Sequence, residues 1–153
     1  RIGHAWYLYT GKDEAFVKSM QTSGRHLRAV IERTLDRYPV DPSRVVLLGF
    51  SQGGYFAGYW GMKDARRFRG LVVNGARIKD EVLPRELRRA RNLSVLLLHG
   101  RRDRAVPYRM ATESLKALSE AGIEAEIKSY DCGHHVNSEQ LGDIRSWLEK
   151  LLF

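Results

Sequence analysis

Short apolar segments alternate with amphipathic ones along this chain, and this alternation constrains the fold more than any other feature. Three segments are nearly continuous aliphatic runs: 44–50, 71–74 and 94–99. Such runs predict strands that are buried on both faces of a sheet. A fourth segment, 124–130, alternates polar and apolar residues. That pattern is typical of an edge strand with one wetter face.

Helical periodicity separates these strands. Apolar residues recur at spacings of three, four and seven between Asp13 and Arg37, which predicts a long amphipathic helix with a candidate break at Ser23-Gly24. Further helical patterns cover 53–62, 84–91, 108–121 and 138–152. Strands that alternate with helices form βαβ units around a parallel sheet. The sequence therefore predicts an α/β fold, with a parallel sheet of about four strands flanked by helices.

Length and cysteine content indicate the number of domains and the kind of protein. A chain of 153 residues fits one domain over residues 1–153, because single cores usually serve roughly 100–200 residues. Cys132 is the only cysteine, which excludes an internal disulfide and fits a reducing compartment such as the cytoplasm. No apolar run approaches the roughly 20 residues of a transmembrane helix, so we expect no membrane span.

The chain is basic, with 26 Lys and Arg against 18 Asp and Glu and a formal net charge of +8. A basic surface can attract nucleic acid or anionic lipid. The densest arginine clusters lie at 85–91 and 101–104. No aromatic ladder or zinc-finger spacing accompanies them, so we expect no nucleic-acid partner and interpret the clusters as a solvated helix face and a surface loop.

A candidate nucleophile lies in Gly49-Phe50-Ser51-Gln52-Gly53, after a predicted strand and before a predicted helix. The segment matches G-x-S-x-G, in which a sharp strand-to-helix turn holds the serine in a strained conformation. We expect the glycines two residues before and after Ser51 to relieve crowding. The backbone N–H of Gln52, at the helix N-terminus, is expected to face a developing oxyanion. The alternative is an ordinary glycine-rich turn.

Two other polar residues follow predicted strands. Asp103 can orient a histidine imidazole, although a turn or helix-cap aspartate is the alternative. His134 can accept the serine proton; the alternatives are a surface pair with His135 or a metal site, and we expect no metal because no further ligands stand at a suitable spacing. The chain order Ser51, Asp103, His134 is the order of the α/β-hydrolase triad, and each member follows a predicted strand.

The sequence resembles the phospholipase/carboxylesterase family of α/β-hydrolases, which includes acyl-protein thioesterases and small bacterial carboxylesterases. The matching stretches are spread along nearly the whole chain, at residues 5–7, 40–45, 49–54, 99–107, 130–134 and 143–148. It implies that Ser51 is the nucleophile, that Asp103 is the orienting residue and that His134 is the general base and acid. It also implies that the Gln52 backbone donates to the oxyanion. His135 is less favoured, because the family histidine directly follows a glycine. The resemblance implies neither a metal nor an organic cofactor.

Members of this family also carry an earlier strand and a His-Gly loop that supplies a second oxyanion N–H. The only His-Gly pair here, His99-Gly100, belongs to the aspartate loop, and Gly3-His4 has the reverse order. We therefore expect ~60–70 residues of a typical member to be missing. The segment Val45–Leu48 has no charge and no proline. We expect it to form an open sheet edge that a second copy or a separate polypeptide covers.

The function that these residues favour is a serine carboxylesterase. Small or soluble acyl esters are the expected substrates, because no long insertion that could form a large cap separates the predicted strands. Arginines near Asp103 would favour anionic substrates if they face the site. One alternative is a peptidase of the prolyl-oligopeptidase type, which shares the fold and usually carries a propeller domain absent here. A second alternative is a non-catalytic hydrolase fragment with a binding or assembly role.

Overall fold

Helices and strands alternate throughout the computed structural model, which describes residues 5–153. A long helix, α1 (Asp13–Arg37), precedes the first strand. The other main elements follow in chain order: β1 (Val46–Phe50), α2 (Gln52–Lys63), β2 (Gly70–Asn74), α3 (Pro84–Leu87), β3 (Ser94–Gly100), α4 (Tyr108–Glu120), β4 (Glu124–Tyr130) and α5 (Ser138–Leu152). The predicted α/β fold is confirmed.

The strands form one parallel sheet in the order β1-β2-β3-β4. Their amino ends are in register, since Gly70 pairs with Val46 on one side and with Ser94 on the other. The carboxyl ends therefore lie along one edge of the sheet. Loops that leave β1, β3 and β4 at this edge carry Ser51, Asp103 and His134. The topology thus brings the three candidate residues to the same side of the molecule.

Two apolar clusters cover the two faces of the sheet. The larger one packs α1, α2 and α4 against inward residues of β2 and β3 such as Leu71 and Val95. The smaller one packs α5 against the opposite face through Ile144, Val72 and Leu96. Every residue of β2 and β3 is buried, and β4 is more exposed. These three strands have the burial that their sequence patterns predict.

β1 is not buried on both faces, contrary to the prediction. Leu48 is 55% exposed, whereas Val45 and Leu47 are partly buried against the larger cluster. The reason is the position of β1 in the sheet: in the part of the chain that the structure describes, no strand pairs with its outer side. An aliphatic run predicts a strand, but its burial depends on neighbours that the run itself does not encode.

α1 continues through Ser23-Gly24, so the predicted break is wrong. Gly24 is instead the point where α1 meets α2, because a Cβ there would overlap the indole ring of Trp60. The indole Nε1–H donates to the carbonyl of Met20 at 3.0 Å and fixes this contact. The glycine is therefore explained by helix-to-helix packing rather than by a change in backbone direction.

The helix predicted over 84–91 is also too long, since α3 ends at Leu87. The chain turns inwards there because Ala90 and Leu93 are buried. Their N–H groups donate to carbonyls three residues back, at 3.2 and 3.0 Å, as in tight turns. The arginines of both basic clusters are exposed, as predicted: Arg85, Arg88, Arg89, Arg91, Arg101, Arg102 and Arg104.

An irregular segment before α1 lies against α2. Trp6 stacks on Phe56 with ring centroids 4.5 Å apart, and Tyr7 meets Phe16 edge to face at 5.0 Å. The Gly3-His4 pair lies outside the described residues. None of the helices within residues 5–153 is both long and apolar enough to cross a membrane.

Candidate active site

The turn between β1 and α2 holds Ser51 in an unusual backbone conformation. Its φ of 53° and ψ of −119° make it the one non-glycine residue with positive φ among residues 5–153. Side chains rarely adopt such angles without support from the surrounding structure. That support comes from the Ser51 N–H, which donates to the carbonyl of Asn74 at 2.9 Å, and from the Tyr55 N–H, which donates to the Ser51 carbonyl at 3.1 Å.

The glycines around Ser51 have different roles from those predicted. Gly49 is sterically required, because a Cβ there would overlap the carbonyl of Gly53. A Cβ at Gly53 would meet only Trp6 Nε1 at 3.9 Å, an ordinary contact, so relief of crowding does not explain this glycine. The second crowded position is Gly54, whose Cβ would lie 2.7 Å from the Cβ of Ala76. The turn packs its backbone against β2 at Gly54, one residue later than predicted.

The loop after β3 aims the carboxylate of Asp103 at the histidine loop. The side chain is 1% exposed. Oδ1 accepts the N–H groups of Ala105 and Val106, both at 2.9 Å, and Oδ2 lies 2.7 Å from His134 Nδ1. Asp103 is thus a turn aspartate through one oxygen and a histidine partner through the other, so both interpretations of this residue describe part of its geometry.

His134 lies between the other two candidate residues. Its Nε2 is 2.7 Å from Ser51 Oγ, and its Nδ1 is 2.7 Å from Asp103 Oδ2. The ring also packs against Phe50, with centroids 4.9 Å apart. With the Nδ1 proton donated to the carboxylate, Nε2 is free to accept the Ser51 hydroxyl proton. The neighbouring His135 is exposed and its backbone N–H bonds the Gly133 carbonyl.

Burial and hydrogen bonding oppose each other at Asp103. Burial alone would raise the pKa of this carboxyl group. Hydrogen bonds from the Val106 N–H, from His134 and from the Ala105 N–H outweigh burial and hold the pKa below its ordinary 3.8. Asp103 is therefore a carboxylate at neutral pH and can accept a hydrogen bond from His134 Nδ1.

Sequence reasoning missed His99, the last polar residue of β3 before the aspartate loop. It is fully buried, and its Nε2–H donates to the Val106 carbonyl at 2.7 Å. The same nitrogen lies 3.5 Å from Asp103 Oδ2. His99 therefore braces the loop that carries Asp103. The available signal for this role was a histidine directly after the aliphatic residues of a buried strand.

Sequence reasoning also missed the side chain of Gln52. Its Oε1 accepts the Trp6 N–H at 2.9 Å, and its Nε2–H donates to the Tyr7 carbonyl at 3.0 Å. Gln52 thus fastens the segment before α1 to the nucleophile turn. Its backbone N–H lies at the start of α2, where N–H groups have no partner within the helix. The motif predicts that backbone position, but no local pattern predicts a side-chain contact more than 40 residues away.

A cleft lies between the segment before α1, the first turn of α2 and the loop after β2. Tyr55, whose N–H bonds the Ser51 carbonyl, is part of its wall. The remaining lining residues are residues 7–13, Phe16, Arg77, Lys79 and Met110. Two of the three lining cations are paired: Glu81 binds Arg77 and also Lys79, and Asp13 lies 2.8 Å from Lys79 Nζ. The third, Lys12, is exposed. The cleft therefore combines four aromatic side chains, Tyr7, Tyr9, Phe16 and Tyr55, with two cations whose charge is paired.

Glu81, the carboxylate that pairs with Arg77 and Lys79, is ionised at neutral pH. Burial would raise the pKa of Glu81, but hydrogen bonds from Arg77 and Lys79 lower it to about 2. Of the arginines near Asp103, Arg102 pairs with Asp131, Arg101 donates to Ser129 Oγ, and Arg104 is exposed. These pairings give no support to a preference for anionic substrates.

Comparisons with known proteins found a matching family, related sequences and similar folds. The sequence profile of a family described as phospholipase/carboxylesterase matches residues 2–152. The chain is 26% identical over 154 residues to acyl-protein thioesterase 1 of Gibberella zeae. That alignment covers 93% of this chain and 64% of the relative. It is 26% identical over 129 residues to a protein of Oryza sativa subsp. japonica named probable inactive carboxylesterase, which covers 82% of this chain and 52% of the relative.

The fold has a solved counterpart in the crystal structure of esterase PE8. The TM-score is 0.80 at 26% identity, and the match covers 98% of this chain and 71% of that protein. The chain spans about half to two thirds of the length of the two curated relatives, 52% and 64%. The similarity therefore extends over most of this chain, but over only part of each relative.

Proposed function

Because this chain belongs to the phospholipase/carboxylesterase family of α/β-hydrolases, we propose that it hydrolyses carboxylic esters with Ser51 as the nucleophile. The observation that carries the proposal is the continuous hydrogen-bonded path from Ser51 Oγ through His134 to Asp103, with both distances at 2.7 Å. A serine hydroxyl is a poor nucleophile unless a base removes its proton. This path supplies the base and the carboxylate that orients it.

In the proposed reaction, Ser51 Oγ attacks the acyl carbonyl while His134 Nε2 accepts its proton. Asp103 stabilises the imidazolium that forms, and the Gln52 N–H donates to the oxyanion. The imidazolium then gives its proton to the leaving group, and an acyl-enzyme remains on Ser51. A water molecule then attacks the acyl carbon while His134 Nε2 accepts its proton. As the bond between the acyl carbon and Ser51 Oγ breaks, the imidazolium returns this proton to Oγ, and the carboxylic acid leaves. Atoms and protons balance without a metal or a redox partner.

The cleft that Tyr55 lines, one turn after Ser51, supports a preference for uncharged groups. Its wall contains Tyr7, Phe16 and Tyr55, and two of its three cations, Arg77 and Lys79, are paired with carboxylates. Burial raises the pKa of the Tyr7 hydroxyl to about 12, so this wall stays neutral under ordinary conditions. We propose small or soluble acyl esters as substrates, with thioesters included because one relative carries the name thioesterase.

The test is hydrolysis of short-chain fluorogenic oxygen esters and thioesters, together with labelling by a fluorophosphonate probe. We expect turnover by the wild type, labelling at Ser51 alone, and loss of both in Ser51→Ala. Ser43→Ala is the matched control, since Ser43 is an exposed serine elsewhere on the surface. A folded wild type that neither turns over esters nor reacts with the probe would contradict the proposal and favour a non-catalytic role. Cleavage of prolyl peptides without ester hydrolysis would favour a peptidase.

A further inference from the structure

Gln140, on the first turn of α5, is buried among the elements that surround His134. It is 1% exposed, although glutamine is mostly found at protein surfaces. Its amide contacts the end of β2 and both ends of the loop that carries His134, residues 131–137. We infer that Gln140 is a positioning residue that fixes His134 relative to Ser51, an inference that rests on the proposed ester hydrolysis.

The first connection leads to the nucleophile turn. Asn74, the last residue of β2, is 2% exposed, and its Nδ2–H donates to Gln140 Oε1 at 3.3 Å. The backbone carbonyl of Asn74 accepts the N–H of Ser51 at 2.9 Å. One residue therefore links the Gln140 side chain to the backbone of the nucleophile. The strained Ser51 turn and α5 are held at a fixed separation by these two hydrogen bonds.

The second connection holds the end of the histidine loop. Gln140 Oε1 also accepts the Asn137 N–H at 3.1 Å, and the Gln140 N–H donates to Asn137 Oδ1 at 2.9 Å. This reciprocal pair is a capping box at the start of α5. Gln140 Oε1 is thus shared between the end of β2 and the end of the loop, which fixes one relative to the other.

The third connection holds the beginning of the loop. Gln140 Nε2 lies 3.8 Å from the sulfur of Cys132, a weak acceptor. The carbonyl of Cys132 accepts the Arg102 N–H at 3.0 Å, next to Asp103 in the aspartate loop. His134 lies between Cys132 and Asn137, so contacts with Gln140 flank it on both sides.

An ordinary capping residue does not need this environment. A glutamine that only caps α5 could remain exposed, because water would then accept the hydrogen bonds of its amide nitrogen. Gln140 instead places both its oxygen and its nitrogen against buried protein groups. An amide is the side chain that can accept at one atom and donate at the other. The choice of glutamine therefore fits a link between two parts of the site better than a cap alone.

The expected consequence concerns turnover rather than binding. A shift of about 1 Å in a group near the reacting atoms can lower the rate about 100-fold. Gln140→Leu keeps a similar volume and removes every side-chain hydrogen bond. We expect kcat to fall about 10- to 100-fold with KM changed less than about twofold, because no atom of Gln140 is placed against substrate.

Ile144→Ala is the matched control for damage to α5. Ile144 lies one turn further along the helix, is buried in the apolar cluster and has no part in the polar network. We expect this variant to lower the melting temperature at least as much as Gln140→Leu while keeping kcat near the wild-type value. Asn74→Ala should lower kcat as Gln140→Leu does, and the double variant should be no slower than the slower single variant.

A second readout does not depend on hydrolysis. The Nδ1 proton that His134 shares with Asp103 should give a downfield signal in the proton NMR spectrum of the whole chain. We expect that signal to broaden or disappear in Gln140→Leu and to persist in Ile144→Ala. An inactive wild type would contradict the proposed function, while the NMR comparison would still test the position of His134. A Gln140→Leu variant with wild-type kcat, or with an unchanged downfield signal, would overturn the inference.

Discussion

Asp103 Oδ2 lies 2.7 Å from His134 Nδ1, while Asp103 Oδ1 is held by two backbone N–H groups of its own loop. The loop therefore holds the carboxylate in place without help from the histidine. The position of this carboxylate matters chemically, because the acceptor at Nδ1 determines the tautomer of the imidazole. With the proton at Nδ1, the lone pair of Nε2 faces Ser51 Oγ.

Asp103→Asn should therefore inactivate the chain without unfolding it. An amide nitrogen in place of Oδ2 would donate to Nδ1 and force the proton onto Nε2, which then cannot accept from Ser51. We expect kcat to fall about 10⁴-fold in ester hydrolysis, the size seen where a triad loses its correct tautomer. Asp131→Asn is the control, because Asp131 is an exposed carboxylate near the same loops. Equal activity in the two variants would contradict the role of Asp103.

The two adjacent histidines should respond differently to removal. His134→Ala deletes the proposed base, so we expect kcat to fall at least about 10³-fold. His135→Ala should retain most activity, because His135 is exposed and its side chain is not part of the path to Ser51. Steady-state kinetics of both variants on one short-chain ester measure this difference. The reverse result would show that the wrong histidine was assigned.

Activity should rise with pH between about 5 and 8, since an imidazole loses its proton in this range and only the neutral ring accepts one. The lowered pKa of Asp103 keeps this residue charged across the range. Its ionised form also stabilises the folded chain, a contribution that is complete above the ordinary pKa of 3.8 and is lost as pH falls through the lower folded value. We would measure kcat/KM against pH together with the folded fraction. A constant kcat/KM from pH 5 to 8 would argue against a histidine base.

Much of the fold was predictable because its signals are local. β4 and α5 begin and end at Glu124, Tyr130, Ser138 and Leu152, as their polar and apolar patterns predict. The chain order of Ser51, Asp103 and His134 was likewise visible, because each residue follows a strand. Features that depend on spatial neighbours were not visible. The burial of β1 depends on whether another strand lies beside it, and Gly24 is explained by Trp60, a residue 36 positions away in the chain.

The supporting contacts of the site were missed for the same reason. Gln52 bonds Tyr7 across 45 positions, and Asn74 bonds Gln140 across 66. A motif identifies atoms that react, because their spacing within one turn is fixed. It does not identify the partners that hold the turn, because those arrive from distant segments only after the sheet has formed.

Two glycines in helices provide a matched test of packing against propensity. A Cβ at Gly24 in α1 would overlap the Trp60 indole, whereas a Cβ at Gly142 in α5 would meet nothing within 4 Å. We expect Gly24→Ala to lower the free energy of unfolding by about 1–3 kcal/mol through overpacking. Gly142→Ala should raise it by about 0.5–1 kcal/mol, because alanine is the better helix former. Urea denaturation of both variants measures the two changes, and effects of the same sign would contradict this account.

The outer edge of β1 should associate with another strand. β1 carries neither charge nor proline, and Leu48 is 55% exposed. An apolar groove at its amino end, lined by Val30, Val40 and Phe153, adds further exposed surface beside it. Unprotected apolar edges are templates for pairing with a second chain.

When this chain is the only polypeptide in solution, we expect it to self-associate as its concentration rises. Leu48→Lys should reduce this association, because a charge on an edge strand opposes pairing. Leu141→Lys is the matched control, since Leu141 is 58% exposed but lies on α5. Sedimentation velocity over a range of concentrations separates the three proteins, and mass spectrometry detects any copurified polypeptide that covers the edge instead. A wild type that sediments as a monomer throughout, with no second polypeptide, would mean that this edge is stable without a partner.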